Sequence, residues 1–180
     1  VSASPHARNT ITTQKIMILV VVALLPACLV GVLSFGTNAL LVLIVSVLSS
    51  VLSEYLYEKL LRKTVTVSDW SAVVTGLLIG MNMPPQIPLW IPVLGSVFAI
   101  IVVKQLYGGI GQNFMNPALA ARCFLLISFA GRMTDFAVKG GVIPVVTKVE
   151  ATTDALSGAT PLAYLKEGSL FDLKALFLGN

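Results

Sequence analysis

Apolar residues fall into long runs along this chain, and few polar residues separate them. The first run, Ile16–Phe35, has about 20 residues, which as a helix rising about 1.5 Å per residue crosses the roughly 30 Å hydrocarbon core of a bilayer. Secretory signals have apolar stretches of only about 7–15 residues, so cleavage fits poorly. The uncharged SFGTN predicts a tight turn, and a second span runs from about Ala39 to Glu54, with Glu58 and the following basic residues marking its exit.

The third apolar segment is shorter than the others. Asp69 is its predicted N-cap and Pro84-Pro85 stop the helix, which leaves about 14 residues or roughly 20 Å. Segments of this kind form the half-helices of transporter-like folds, and a tilted short helix in a thinned bilayer fits equally well. Gly76 and Gly80 form a GxxxG spacing, which predicts that a neighbouring helix approaches closely.

Two more spans are predicted, over about Leu89–Leu106 and about Asn116–Ala130, with Trp90 at an interfacial position. Charges then recur every few residues between positions 131 and 174, which indicates a folded loop outside the membrane. The predicted organisation is a cytoplasmic N-terminal segment, a transmembrane domain of about five spans and an extracytoplasmic loop, at residues 1–15, 16–130 and 131–180.

Composition agrees with an all-α integral membrane protein. The chain is 56% hydrophobic and 11% charged, with a mean hydropathy of +0.91, whereas soluble domains carry about 25% charged residues. The net charge of +4 arises at the flanks of alternate spans, which places the N-terminus in the cytoplasm and the loop after span five on the opposite face. The flanking residues counted are Arg8, Lys15, Lys59, Arg62, Lys63 and Lys104. Nucleic-acid binding is not needed to explain this charge.

The segment GGIGQNFMNPALAAR joins spans four and five. Its Gly109-Ile-Gly111 does not predict a dinucleotide site, because no strand precedes it. Asn113 and Asn116 either bind the edge of a heteroaromatic ring or merely cap the next helix. Arg122 is an ionisable residue two turns into an apolar span, so it either faces a cavity or partner, where it would offset a phosphate, or extends to the interface.

Side chains for acid–base, nucleophilic or metal chemistry are scarce. His6 is the single histidine, which excludes a Ser/His/Asp triad, and we predict neither catalytic residues nor metal ligands. The apolar spans show no pair of carboxylates placed for acid–base work. Cys28 and Cys123 lie in separate apolar runs and are interpreted as small buried hydrophobic residues.

The stretch DALSGATPLAYL, residues 154–165, is a small polar turn in a hydrophobic protein. Gly158 and Ala159 allow a large planar group or an enzyme to approach the backbone, and Pro161 biases Thr160 towards extended geometry. A threonine hydroxyl presented in this way is open to modification. An ordinary surface turn is the alternative, since Ser, Gly and Pro are common in loops.

Four motifs together resemble one family over essentially the whole chain. They are SPHARNTITTQKIM, DWSAVVTGLLIGMNMPP, GGIGQNFMNPALAAR and the DxxSGAT sequence from Asp154 to Thr160. All are similar to signatures of the family that holds the B subunit of Na⁺-translocating NADH:quinone reductase and the D subunit of the Rnf complex. The SPH start, without a long extension before the first span, looks more like the Rnf branch.

The resemblance implies a site and two flavins. Thr160 would carry FMN through a phosphodiester bond formed by a flavin transferase, which recognises Asp154, Ser157, Gly158 and Ala159. A noncovalent riboflavin near the cytoplasmic side would contact the amides at positions 113 and 116, a role associated more firmly with the quinone-reductase relative. The basic residue at position 122 would offset a phosphate or a flavin semiquinone.

The implied function is electron relay within a complex in the prokaryotic cytoplasmic membrane. Such a complex couples electron transfer between reduced ferredoxin and NAD⁺ to Na⁺ or H⁺ movement, and its other membrane subunits and an extracytoplasmic flavin subunit are the implied partners. Two alternatives are a quinone-reductase-type subunit and, from another class, a small-solute channel; a purely structural membrane anchor explains only the hydrophobicity. Family members have two inverted repeats resembling channels, so we expect a second repeat that this chain lacks.

Overall fold

The computed structural model describes residues 11–135, which form helices joined by short turns and contain no strand. The helical elements, in chain order, are α1 (Thr13–Phe35), α2 (Thr37–Leu60), a 3₁₀ turn (Val67–Asp69), α3 (Ser71–Met81), α4 (Trp90–Val97) with a π-helical continuation (Phe98–Gln105), α5 (Pro117–Ser128) and α6 (Ala130–Met133). The all-α prediction is therefore confirmed for the described residues. The predicted loop, residues 131–180, lies almost wholly outside them.

Helices α1 and α2 are long and apolar enough to cross a membrane, at 23 and 24 residues. Most of their apolar side chains are exposed; Leu19, Leu29 and Leu48 are each more than 60% accessible. A contiguous apolar surface of this size is not stable in water, so lipid or another protein covers it. Gly36, at φ 81°, makes the tight turn between the two helices, as SFGTN predicted.

The next three segments run back and forth along α2, and their contacts define two ends of the molecule. One is the basic end, with Lys15, Lys59, Arg62 and Lys63, and the other is the Pro-rich end, with Pro84, Pro85, Pro88 and Trp90. Helix α3 is antiparallel to α2, because Gly76 lies against Val47 whereas Gly80 lies against Leu43. The chain then continues along α2 through turns and bends until the Asn38 amide donates to Gln86 at 3.3 Å.

The third segment thus crosses as a short helix followed by a run of turns and bends. Helix α3 has 11 residues, or about 16 Å, and the prolines that follow it prevent further helix. Met83, Pro84, Pro85 and Ile87 are buried, and irregular backbone is tolerated at membrane depth only where protein or a water-filled cavity covers it. The prediction of a short, Pro-terminated segment is confirmed.

Helix α4 and its π-helical continuation run parallel to α2, and α5 returns antiparallel to α4. Trp90 meets Phe129 at one end, with ring centroids 5.2 Å apart, and Tyr107 meets Phe114 at the other, 4.8 Å apart. The described chain therefore passes five times between the two ends. Only α1 and α2 have spanning length, however, since α5 has 12 residues and does not form the longer span predicted for it.

The second helix extends beyond the residue at which its apolar span was predicted to end. Helix α2 continues to Leu60, six residues beyond Glu54, and both Glu54 and Glu58 are buried within it. These two carboxylates therefore face the protein interior, whereas the basic residues that follow them are exposed. Cys28 is buried as expected, but Cys123 is exposed, because it lies on the outer face of α5.

Candidate functional site

The predicted flavin-attachment residues Asp154, Ser157, Gly158, Ala159 and Thr160 lie outside the described residues. The same is true of His6. The structure therefore describes the predicted second site, around the turn between α4 and α5, and not the first. Attachment at Thr160 stays a prediction.

The turn before α5 contains the predicted glycine hinge. Gly108, Gly109 and Gly111 all have positive φ, between 79° and 109°, a region that side-chain-bearing residues rarely adopt. The hinge brings the chain back so that the Phe114 ring packs edge-on against Tyr107. The glycines are therefore needed for the backbone conformation of this turn. This agrees with the prediction that the sequence is not a dinucleotide-binding motif.

Asn116 caps α5. Its Oδ1 accepts hydrogen bonds from the backbone N–H groups of Ala118 at 2.9 Å and Leu119 at 3.4 Å, and Pro117 occupies the first helical position, where a missing N–H costs nothing. The capping interpretation is confirmed for Asn116. Its amide N–H₂ remains available to a ligand carbonyl.

Asn113 is placed differently from Asn116. It is half-buried, and its Oδ1 is buried without a hydrogen-bond partner among the described residues. Next to the capping residue lies an apolar cleft of about 540 Å³ between the π-helical segment and α5, lined by Tyr107, Phe114, Phe124 and Asn116 among others. Aromatic walls with one amide, that of Asn116, at the edge suit a planar heteroaromatic ring, whereas Asn113 does not line the cleft.

Arg122 pairs with an amide rather than with a carboxylate. Its Nη1 donates to Asn82 Oδ1 at 2.5 Å, and Asn82 Nδ2 donates to the Leu78 carbonyl at 2.8 Å. Asn82 directly follows the last residue of α3, so the guanidinium lies near a helix C-terminus, where the dipole favours a cation. This gives Arg122 a protein partner within the membrane domain, which was one of the predicted possibilities.

The strongest electrostatic feature is a buried ionic cluster near the basic end, between α2, α3 and the π-helical segment. Lys104 Nζ donates to Glu54 Oε1 and to Ser71 Oγ, each at 2.5 Å, and the side chains of Lys104 and Glu54 are 3% and 0% exposed. Ser71 in turn donates to Asp69 Oδ1 at 2.7 Å. Charges this deeply buried persist only when they are paired.

A second carboxylate extends the cluster towards the basic end. Gln105 Nε2 donates to Glu54 Oε1 at 2.8 Å and to Glu58 Oε1 at 3.2 Å, so one amide links both carboxylates. Glu58 also accepts from the backbone N–H of Thr66 at 2.9 Å and from its hydroxyl. The cluster therefore fixes the connection between α2 and α3.

Above Glu58 a cavity of about 410 Å³ leads to the basic end, lined by Glu58, Lys63, Thr66, Asp69, Gln105, Gly109 and neighbouring residues. The π-helical geometry, visible in the Leu106 N–H bond to the Ile101 carbonyl at 3.0 Å, brings both Lys104 and Gln105 into the cluster. Segments of π-helix are rare and occur often at functional sites.

The sequence interpretation missed this cluster and got Lys104 wrong. Lys104 does not begin the link after span four; it lies inside the helical segment and is buried. Two carboxylates, Glu54 and Glu58, do lie one turn apart on the buried face of α2, but both are engaged in hydrogen bonds with Lys104, Gln105 and Thr66. The available signal was that i,i+4 spacing together with a lysine inside an apolar run.

The fold and the cluster of residues 11–135 define a helical integral membrane protein with an ionic network inside its helical domain. Comparison with known proteins identifies the family: the chain belongs to the NQR2, RnfD, RnfE family, whose pattern matches residues 1–180. Within the described residues no three His, Cys, Asp or Glu side chains are grouped to hold a metal.

Two bacterial relatives cover nearly all of the chain. The D subunit of the Na⁺-translocating ferredoxin:NAD⁺ oxidoreductase complex of Acetobacterium woodii is 52% identical over 168 residues, which are 93% of this chain and 49% of that protein. The D subunit of the proton-translocating ferredoxin:NAD⁺ oxidoreductase complex of Clostridium ljungdahlii is 39% identical over 194 residues, covering 100% and 55%. The chain thus spans about half the length of these relatives.

Proposed function

We propose that this chain is part of a membrane redox subunit that relays electrons within an ion-translocating ferredoxin:NAD⁺ oxidoreductase complex of a bacterial cytoplasmic membrane. The observation that carries the proposal is the family match, which runs over residues 1–180 and so includes the DxxSGAT sequence. Two relatives that cover 93% and 100% of the chain are both D subunits of such complexes. FMN bound covalently to Thr160 supplies the one- and two-electron chemistry.

Charge placement supports an extracytoplasmic position for Thr160. Four exposed basic residues of the described chain lie at the basic end, which the positive-inside rule assigns to the cytoplasm. Five passes then bring the chain to the Pro-rich end, because Phe129 packs against Trp90 there. The segment that contains Thr160 follows from this end.

The cleft beside Asn116 is the candidate site for a second, noncovalent riboflavin. It opens near the basic end, because it is lined by Tyr107 and Phe114. The Asn116 amide donates to a ligand carbonyl while its oxygen continues to cap α5. Asn113, three residues earlier, is proposed as the second amide of the site from the family resemblance alone, because it does not line the cleft.

Arg122 is less well supported than Asn116 as a flavin-binding residue. Its contact with Asn82 engages Nη1, and its remaining N–H groups are free to offset the negative charge of a phosphate or of a reduced ring. We retain it as a candidate cofactor-binding residue for that reason. Its protein contact alone is sufficient to explain a basic residue in α5.

Partners follow from the same proposal. Both relatives belong to multi-subunit complexes by name, which supports association with other subunits. Other membrane subunits and an extracytoplasmic flavin subunit are the partners that the proposed electron relay requires. A flavin transferase modifies it during maturation. The exposed apolar faces of α1 and α2 provide surface for lipid and for such subunits.

In-gel flavin fluorescence tests the attachment. The complete subunit is produced together with a flavin transferase, denatured and separated, and we expect a fluorescent band for the wild type and none for Thr160→Ala. Thr152→Ala, a nearby threonine outside the motif, is the matched control and keeps the band. Asp154→Ala loses it if the motif is the recognition sequence.

Mass spectrometry provides an independent readout of the attached group. The peptide that contains Thr160 should carry an FMN-phosphoryl increment in the wild type. A fluorescent band that survives Thr160→Ala would refute attachment at this residue. The absence of a band in wild-type native membranes would favour the channel or anchor alternatives.

A further inference from the structure

An open apolar groove of about 930 Å³ lies between α1 and α2. Hydrophobic side chains line it throughout, and they include Val22, Leu25 and Leu29 of α1 and Ile44, Val47 and Leu48 of α2. Leu29 and Leu48 are 62% and 63% exposed. A surface of this kind is not left to water, so the group that fills the groove is apolar.

Each wall of the groove leads to a lysine at the basic end. Lys15 precedes Val22 by about two turns of α1 and therefore lies on the same face. Lys59 follows Leu48 by about three turns of α2 and shares its face in the same way. The two lysines are about 21 and 23 residues from Gly36, where α1 and α2 meet, so at about 1.5 Å per residue their depths differ by only about 3 Å.

The exposed face of α2 changes in chemical character towards Lys59. Leu48, Leu52 and Tyr55 follow one another along it, at 63%, 56% and 39% exposure. Lys59 Nζ then donates to the Tyr55 hydroxyl at 3.3 Å and lies 5.4 Å from the centre of the same ring, within the range of a cation–π contact. This order of apolar, aromatic and cationic groups matches the acyl chain, the interface and the phosphate of a phospholipid.

Arg62 adds another cation directly after α2, in an unusual backbone conformation. Its φ is 53°, and the Lys63 N–H donates back to the Glu58 carbonyl at 2.8 Å, an arrangement in which glycine is the usual residue. A larger residue held in this region carries strain, which proteins retain mainly at functional positions. Neither Lys59 nor Arg62 forms a salt bridge with a carboxylate of the described residues, so both charges are open to an external anion.

We propose that these residues bind an anionic phospholipid of the leaflet nearest the basic end. Its phosphate contacts Lys15, Lys59 and Arg62, and one acyl chain follows Leu52 and Leu48 into the groove. The lengths agree, because half of the roughly 30 Å hydrocarbon core is about 15 Å and three turns of α2 are about 16 Å. This binding does not depend on the proposed function.

Exposed leucines beside the charges favour a lipid over an acidic protein. Leu56 and Leu60, next to Tyr55 and Lys59 in the chain, are 54% and 84% exposed. An acidic protein surface would pair with the cations, but it would place carboxylates against these leucines and leave the groove unfilled. A phospholipid meets both requirements, because one molecule carries the anion and the apolar chain.

Native mass spectrometry of the delipidated complex that contains the complete subunit tests the proposal. Dioleoyl phosphatidylglycerol and dioleoyl phosphatidylcholine have the same chains and differ in net charge, so titration with each isolates the contribution of the anion. We expect phosphatidylglycerol to bind at the lower concentration and to raise the melting temperature in detergent by mass action. The soluble headgroup glycerophosphoglycerol, which lacks acyl chains, should not compete with it.

Lys59→Gln should raise the half-saturating concentration of phosphatidylglycerol about fivefold, which corresponds to about 1 kcal/mol for one basic residue at an anionic lipid surface. Arg132→Gln is the matched control, because Arg132 is also exposed but lies in α6 at the Pro-rich end, and it should bind lipid as the wild type does. Arg62→Gly separates strain from binding. Without lipid it should raise the melting temperature, since glycine adopts positive φ freely, yet it should weaken phosphatidylglycerol binding.

Equal half-saturating concentrations for the two lipids would overturn the proposal, as would competition by the soluble headgroup. So would Lys59→Gln and Arg62→Gly variants that both bind phosphatidylglycerol as Arg132→Gln does. Release of a protein partner by Lys59→Gln, with lipid binding unchanged, would assign the cations to a protein interface and refute the lipid. Flavin fluorescence should persist in every variant, and its absence from the wild type would count against the proposed function alone.

Discussion

Gly76→Ala is expected to separate α2 from α3, the most extensively packed pair of helices in the described chain. A Cβ at position 76 would lie 2.6 Å from Val47 Cα and 2.9 Å from the Ser46 carbonyl oxygen. Both atoms belong to the α2 backbone, so no side-chain rotation relieves the clash. An ordinary contact begins near 3.4 Å, and the helices must therefore move apart by about 0.8 Å.

The loss of stability expected for Gly76→Ala follows from the rigidity of both helices. Overpacking of a close interface costs about 1–3 kcal/mol, and the added Cβ gains at most about 1 kcal/mol in helix propensity. We therefore expect Gly76→Ala to lower the free energy of unfolding by about 1–2 kcal/mol. The shift also widens the distance between Ser50 and α3, because Ser50 Oγ lies 3.1 Å from the same Cβ position.

Two further glycines calibrate the measurement. Gly80→Ala should cost less than Gly76→Ala, since its nearest neighbour, at 2.9 Å, is the terminal Cδ2 of Leu43, although Leu43 Cα is only 3.0 Å away. Gly31→Ala, in the middle of α1 with nothing within 4 Å, should be neutral or stabilising. Reversible unfolding of the purified protein in mixed micelles measures all three. Equal tolerance at positions 76 and 31 would refute the close approach of α3 to α2.

Two other predictions concern single interactions. Glu54→Gln should destabilise the protein by about 3–5 kcal/mol, because the buried Lys104 loses its carboxylate partner. The double variant Glu54→Gln/Lys104→Met should recover most of that stability. Equal stabilities of the single and double variants, measured by thermal unfolding in detergent, would contradict the pairing. In the same assay, Asn116→Ala should lower the free energy of unfolding by about 0.5–2 kcal/mol, because α5 loses its cap. Asn116→Asp keeps an acceptor oxygen and should lower it much less. Equal losses of stability for the two variants would show that Oδ1 does not cap α5.

Local sequence signals predicted much of the fold. The apolar run of α1, the turn at Gly36, the Pro-terminated α3 and the cap at Asn116 each depend on residues close together in the chain. The GxxxG spacing also predicted a close approach correctly, because a glycine pair one turn apart leaves a flat surface whatever the partner is. These features follow from backbone sterics and helix termini, which the sequence specifies directly.

The ionic cluster could not be predicted in the same way. Glu54 and Lys104 are 50 positions apart, and a charge that ends an apolar run is equally typical of a helix that leaves the membrane and of a buried pair. Only the packing of α2 against the π-helical segment distinguishes the two. The length of α5 was also not predictable from the sequence. Its twelve helical residues are enough for the fifth pass because the turn at Phe114 and the residue Phe129 add length at its two ends.

The break after α3 connects the two halves of the described structure. Because α3 ends at Met81, its last carbonyls and Asn82 are left in the interior, and unpaired polar groups there are costly. Arg122 of α5 meets that need through Asn82 Oδ1, while the Asn82 amide satisfies the Leu78 carbonyl. The half-helix thus requires a cation from a neighbouring helix at its C-terminus, just as its N-terminal serine meets the ammonium of Lys104 at the other end. The short helix is therefore held in place at both ends by hydrogen bonds to charged side chains of neighbouring helices.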